Sequence, residues 1–159
     1  TELFINVRQA AIPRIAEIAQ AAQAMLAEVG LNVSVKIQES SIYNPEYGQK
    51  PGPDRNYITM HPIGNDFMDA ASSFQTYATC DRGTSGICDK ELDKMISEAA
   101  RITGKERTAA LQNISGYIQD NAYMGFIGHL DLAYGISERV NWDVPLDHRF
   151  IVRQMTLTD

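Results

Sequence analysis

Residues 2–39 read ELFINVRQAAIPRIAEIAQAAQAMLAEVGLNVSVKIQE, and this stretch decides the fold class. Residues 2–7 are strand-like. A helix is expected over residues 13–29, because the apolar positions Ile12, just before it, Ile15, Ala19, Ala22, Leu26 and Val29 recur at spacings of three and four and give one buried stripe. Pro13 suits the first helical turn, where a missing N–H costs nothing. Gly30 then stops the helix as a left-handed cap. Residues 32–39 alternate, with Val33, Val35 and Ile37 on one side and Ser34, Lys36 and Gln38 on the other. A strand, a helix and a strand in this order predict a right-handed parallel crossover.

Outward from that unit, Pro45, Gly48, Pro51, Gly52 and Pro53 predict a long loop without regular structure over residues 40–56. Residues 57–62 read as a third strand and residues 69–77 as a short helix. Residues 89–101 form an amphipathic helix with Leu92, Met95, Ile96 and Ala99 inward and Asp89 as its N-cap. After a break at Gly104, residues 105–121 form another helix, with Ala109, Leu111, Ile114 and Ile118 on its inner face. Strands are expected at 124–129 and 132–136, and a last one at 150–157. The predicted fold is α/β, a mixed sheet flanked by helices.

The chain has 159 residues, 44% hydrophobic and 21% charged, which fits one globular domain. Such a domain buries roughly 70% of the surface its unfolded chain exposes. A net charge of −6 argues against a nucleic-acid partner, because phosphate binding needs a basic footprint. No apolar run approaches the ~20 residues that span a bilayer. The longest, residues 122–128, reads as a buried strand. The chain opens on a core strand and not on Met, so it is expected to be a piece of a longer protein.

Cys80 and Cys88 lie in one polar loop, CDRGTSGIC. Their spacing is wrong for a zinc half-site and no second half-site exists. A local disulfide is the sharper reading and implies an oxidising compartment; two free thiols are the plainer one. Closing so small a ring stabilises by ~2.5 kcal/mol at best.

Four segments in order carry a family resemblance. They are IAEIAQAAQAMLAEVGLNVSVKIQE (15–39), GNDFMDAASSF (64–74), CDKELDKMISEA (88–99) and KERTAALQNISGYIQDNAYMGFIGHLDLAYGISERVNW (105–142). Together they resemble the C-terminal lobe of periplasmic solute-binding proteins of ABC importers, in extracellular solute-binding family 5, the dipeptide, oligopeptide and nickel-binding type. The chain differs from that pattern at Ala70 and Gly125, where the family usually has Pro, and at Ile63, where it usually has Trp. The resemblance implies one lobe of a type II periplasmic-binding-protein fold, with a partner N-terminal lobe outside this chain. It further implies a peptide or similar small polar ligand, an inner-membrane ABC permease as partner, a periplasmic or lipid-anchored extracellular location, no cofactor, and no catalysis.

Asp66 is the first candidate for ligand contact. It follows a strand in a Gly-Asn-Asp turn, and ligands of open α/β sheets bind at strand ends. The resemblance implies that it pairs with a ligand ammonium group; the plain alternative is an aspartate that caps its own turn. Asn65 and Gly64 can present amide groups to a carboxylate or carbonyl; Phe67 can line the pocket, though apolar residues beside a strand end are more often core, and Tyr43 can stack on a ligand, though it equally fits a plain loop aromatic. Asp69 reads foremost as an N-cap. A second reading makes the chain a metal-dependent or hydrolytic α/β enzyme using His61, Asp66 and Asp69, a set with the right donor types but a strand–turn placement that rarely converges. A third makes it an interaction module acting through residues 40–56. No nucleophile elbow or phosphate-binding glycine loop is present.

Overall fold

A computed structural model describes residues 3–49, 57–65, 67–146 and 149–158. Strand β1 (Leu3–Arg8) is the centre of a three-stranded parallel sheet of order β2-β1-β3, with β2 at Val33–Gln38 and β3 at Tyr57–Met60. The register pairs Arg8 with Gln38 and Val7 with Met60. Helix α1 (Ile15–Glu28) connects β1 to β2, as the periodicity predicts. It covers one face of the sheet, where Ile5, Val7, Ile15, Ala19 and Val33 form a buried cluster with Leu26 and Val35 against it. Gly30 takes φ +83°, and the N–H groups of Gly30 and Leu31 donate to Ala27 O and Leu26 O (both 3.0 Å). This paired closure satisfies the last carbonyls of the helix and explains its abrupt end. The start differs from expectation. Pro13 precedes the helix, and Arg14 caps it with a left-handed φ of 58°.

The opposite face of the sheet is polar. Residues two apart on a strand share a face, so Phe4, Asn6 and Arg8 lie together, flanked by their register partners Ser34, Lys36 and Gln38. This face is covered by α2 (Ser40–Tyr47), which corrects the expectation of an irregular loop from residue 40. Pro45 sits inside the helix and, lacking an N–H, makes no bond to the Ser41 carbonyl. Tertiary contacts override that cost. Tyr43 is fully buried, Asn6 Nδ2 donates to Glu46 Oε2 (3.1 Å), and the Tyr57 hydroxyl donates to Glu46 O (2.8 Å). The rest of the expected loop, residues 50–56, lies outside the described residues.

Helices α3 (Ala70–Tyr77), α4 (Lys90–Ala99) and α5 (Gly104–Asp120) build a second core. Leu92, Ile96 and Ala99 of α4 pack on Ile114 and Ile118 of α5, with Ala78 and Ile87 from the intervening chain. Ala110 joins this core in place of the expected Ala109, which is exposed. Asp89 caps α4 as its sequence position predicts, accepting from the N–H groups of Glu91 (2.8 Å) and Leu92 (3.3 Å). Its second oxygen accepts from the hydroxyls of Tyr117 (2.9 Å) and Tyr123 (2.7 Å). One carboxylate therefore fastens α4, α5 and the chain that follows. Donating to that carboxylate keeps the Tyr123 phenol protonated and pushes its pKa up to about 12. Cys80 and Cys88 form a disulfide that closes the loop ahead of α4.

Beyond α5 the expected strands are absent. Residues 123–136 have no regular structure, and Phe126 (70%), Ile127 (68%), Leu130, Leu132 and Ile136 are exposed. An apolar run signals a demand for burial, but it becomes a strand only where a neighbouring strand offers a ladder. The expected last strand is also reduced. A 3₁₀ turn at Val152–Gln154 leads to β5 (Thr156–Leu157), which pairs antiparallel with β4 (Val140–Asn141). Trp142 anchors this ribbon edge-on between Tyr134 (5.4 Å) and Phe150 (5.1 Å). The architecture is thus α/β, but among the described residues its main sheet is wholly parallel and the antiparallel pairing is confined to the small ribbon.

Candidate functional site

The chain leaves β3 through His61 and turns at Gly64 and Asn65. Asn65 makes the turn: its carbonyl accepts from Met68 N–H and its side-chain Oδ1 from Asp69 N–H, each at 2.9 Å. That geometry places Met68 at a left-handed φ of 53°. Asn65 therefore spends its side-chain acceptor locally. Gly64 and Phe67 line a groove of about 130 Å³ with Ser72, Ser73, Thr76 and Tyr77 of α3. Phe67 is 76% exposed, so it forms a rim and not a desolvated wall. Asp66, the first candidate from sequence, lies outside the described residues.

Asp69 is the N-cap of α3 and accepts from Ala71 N–H (2.9 Å). Arg107 Nη2 reaches both of its oxygens, at 3.0 and 2.8 Å, which ties the start of α3 to α5. The Ala71 N–H and then the Arg107 guanidinium hold the Asp69 carboxyl below the usual carboxylate range. Capping and pairing account for this carboxylate without a metal. Among the described residues no group of three or more His, Cys, Asp or Glu side chains is placed to hold a metal ion.

His61 sits in a column of aromatic rings. It stacks on Tyr47 (4.6 Å) and Tyr43 (6.5 Å) and meets Tyr77 at a tilt (6.1 Å). Tyr43 itself is fully buried, with its ring in this column. Tyr77 belongs to both the column and the groove, which connects the groove to the C-terminal end of the sheet. Burial, and secondarily the charge of Arg8, pushes the His61 pKa below its ordinary value.

This sets a pH dependence. The fold favours neutral His61, so its contribution to stability is complete above the unfolded pKa of about 6.5 and declines as pH falls through that value. We expect the unfolding midpoint in urea to fall between about pH 7 and pH 5, and the His61→Phe variant to lose part of that slope. Equal slopes in both proteins would assign the dependence to other groups.

Sequence reading did not single out Asn6, Arg8 and Gln38 as site residues. Asn6 is fully buried, and its Oδ1 has no hydrogen-bond partner; the same holds for the buried atoms Arg8 Nε, Gln38 Oε1 and His61 Nδ1. A signal was available in the pattern. The inner strand of a parallel sheet is covered on both faces and ordinarily reads as continuously apolar, whereas Asn6 and Arg8 interrupt β1 at alternate positions.

No family model matches the chain, and no curated protein matches it.

Proposed function

We propose that this chain is one lobe of a two-lobed solute-binding protein of type II fold, which captures a peptide or similar small polar solute and delivers it to an inner-membrane ABC permease. The observation that carries this reading is the groove where the Gly64–Asn65 turn meets α3, at the strand ends of a parallel sheet. At about 130 Å³ it is well below the roughly 300 Å³ at which ligand pockets begin, and it stands open on one side, as one wall of a cleft would. The exposed apolar residues between Phe126 and Ile136 add a surface that a second lobe would cover. The Cys80–Cys88 disulfide suits a periplasmic location.

In this reading Asp66 supplies the charge that faces a ligand ammonium, and lobe closure dries the pair and strengthens it. Closure follows only if the solute binds the closed form better than the open one. In the two-lobed protein, Asp66→Ala should cost a peptide ligand roughly 10- to 100-fold in affinity by isothermal titration, with the melting temperature of the unliganded protein unchanged. Unaltered peptide affinity would remove Asp66 from the site.

A further inference from the structure

The groove is lined by Ser72, Ser73, Thr76 and Tyr77 of α3 and by Gly64 and Phe67 of the turn before it. Apolar packing holds these two elements only lightly. The buried residue of α3 is Ala71, with Phe74 partly buried against the second core. Phe67 and Met68 are 76% and 60% exposed, so the turn has little anchorage in the interior. Polar ties fix both elements instead. At the far end of α3 the Thr84 hydroxyl, from the loop closed by the disulfide, donates to Thr76 O. At the near end the ties converge on Asp69.

The turn also carries strain. Met68 sits at φ 53°, where the Cβ of an L-residue crowds the following carbonyl, and its exposed side chain gains no burial that would offset this. Such a conformation persists only where its surroundings over-determine it. Asn65 O accepts from Met68 N–H, and Asn65 Oδ1 accepts from Asp69 N–H. The Asp69 carboxylate then caps α3 at Ala71 N–H, and Arg107 Nη2 reaches both of its oxygens. The Asn65 and Ala71 bonds are local to this segment. Arg107 comes from α5, 38 residues along the chain, and ties the segment to a packed helix.

The place of Arg107 in α5 fits this task. Arg107, Leu111, Ile114 and Ile118 recur at spacings of three and four, so a cation stands where the inner stripe of the helix calls for an apolar residue. Arg107 is half-buried, while its neighbours Lys105, Glu106 and Thr108 are exposed.

We propose that Arg107 is the positioning residue of the groove: through Asp69 it holds the turn closed between Asn65 and Met68 in its strained form, and so keeps Gly64 and Phe67 in place against α3. Its consequence for affinity rests on the groove being the solute site.

The test begins with backbone amide relaxation of this chain by NMR. In the parent, the N–H order parameters of Gly64 and Phe67 should lie near the rigid value of roughly 0.85; Arg107→Gln should take them below roughly 0.6 while Ile118 in the α5 core stays rigid. These parameters describe motion within the folded state, so a role confined to overall stability would leave them unmoved. Met68→Gly added to Arg107→Gln should return both residues to the rigid value, because glycine adopts the left-handed φ without the steric penalty. In the two-lobed protein, Arg107→Gln should weaken trialanine binding about fivefold by isothermal titration, and the double variant should recover it. The proposal is overturned if Gly64 and Phe67 are already mobile in the parent, if Arg107→Gln leaves them rigid, if Met68→Gly does not restore them, or if trialanine affinity is unchanged once the turn has loosened. A two-lobed parent that ignores trialanine, beside the expected relaxation result, would sink the peptide reading alone and support the hold of Arg107 on the turn.

Discussion

Truncating Leu92 to Ala should destabilise the chain by about 3 kcal/mol, within the range of about 2–5 kcal/mol for large-to-small changes at closed core sites. Leu92 is fully buried on α4 and packs among Ile96, Ile114 and Ile118. Its backbone N–H is also bonded to Asp89, so the first turn of α4 is held at both its cap and its core face. Capped at one end and packed along its side, the helix has little freedom to collapse into the space left behind, which puts the loss in the middle of the range and not at its floor. For a chain of this length the melting temperature should fall by about 9 °C. Circular dichroism during heating measures this directly. A loss under about 1 kcal/mol would mean that α4 and α5 do not form the packed core described above.

Gly83→Ala should cost about 2–3 kcal/mol through the opposite mechanism, overpacking. A Cβ at Gly83 would run into the backbone carbonyl group of Gly48, just past the end of α2. Neither side can yield by rotating a side chain, because both contacting groups are main chain. The disulfide between Cys80 and Cys88 also restrains the loop that carries Gly83. Relief therefore requires moving α2 or the loop as a body. The same contact joins α2, which lies on the sheet, to the loop ahead of α4. Gly83→Ala should accordingly loosen the Tyr47–His61 stack as well as lower stability, which the His61 ring signals in NMR would report. A stable variant with unshifted His61 signals would contradict the docking of the loop on α2.

What could be read from the sequence was what local chemistry decides. The α1 stripe as far as Leu26, its Gly30 terminus, and the Asp69 and Asp89 caps all depend on residues within a few positions of one another, while Val29, expected on that stripe, is exposed. The parallel pairing of β1 with β2 followed from the strand–helix–strand order, whereas the parallel β3, in place of an expected mixed sheet, did not. What escaped depends on partners distant in sequence. Residues 40–47 form a helix despite Pro45 because Asn6 and Tyr57 hold Glu46, contacts 40 and 11 residues away. The apolar run at 122–128 signalled a strand, yet among the described residues no ladder partner meets it. At the site the same division holds. Asn65 was expected to present its amide to a ligand, whereas its side-chain oxygen serves the turn itself. The polar atoms of Arg8 and Gln38 become a cluster only once the register of β1 and β2 aligns them.

The central claim is that the groove beside Gly64 and Phe67 is one wall of a cleft completed by a second lobe. The most direct test compares thermal shifts of the two-lobed protein and of this chain against di- to penta-peptides, sugars and nickel chelates. A shift of several degrees for one ligand class in the two-lobed protein, with none in this chain for the same ligands, is the predicted result. Equal shifts in both would mean that this chain carries the whole solute site alone, and would contradict the half-cleft account.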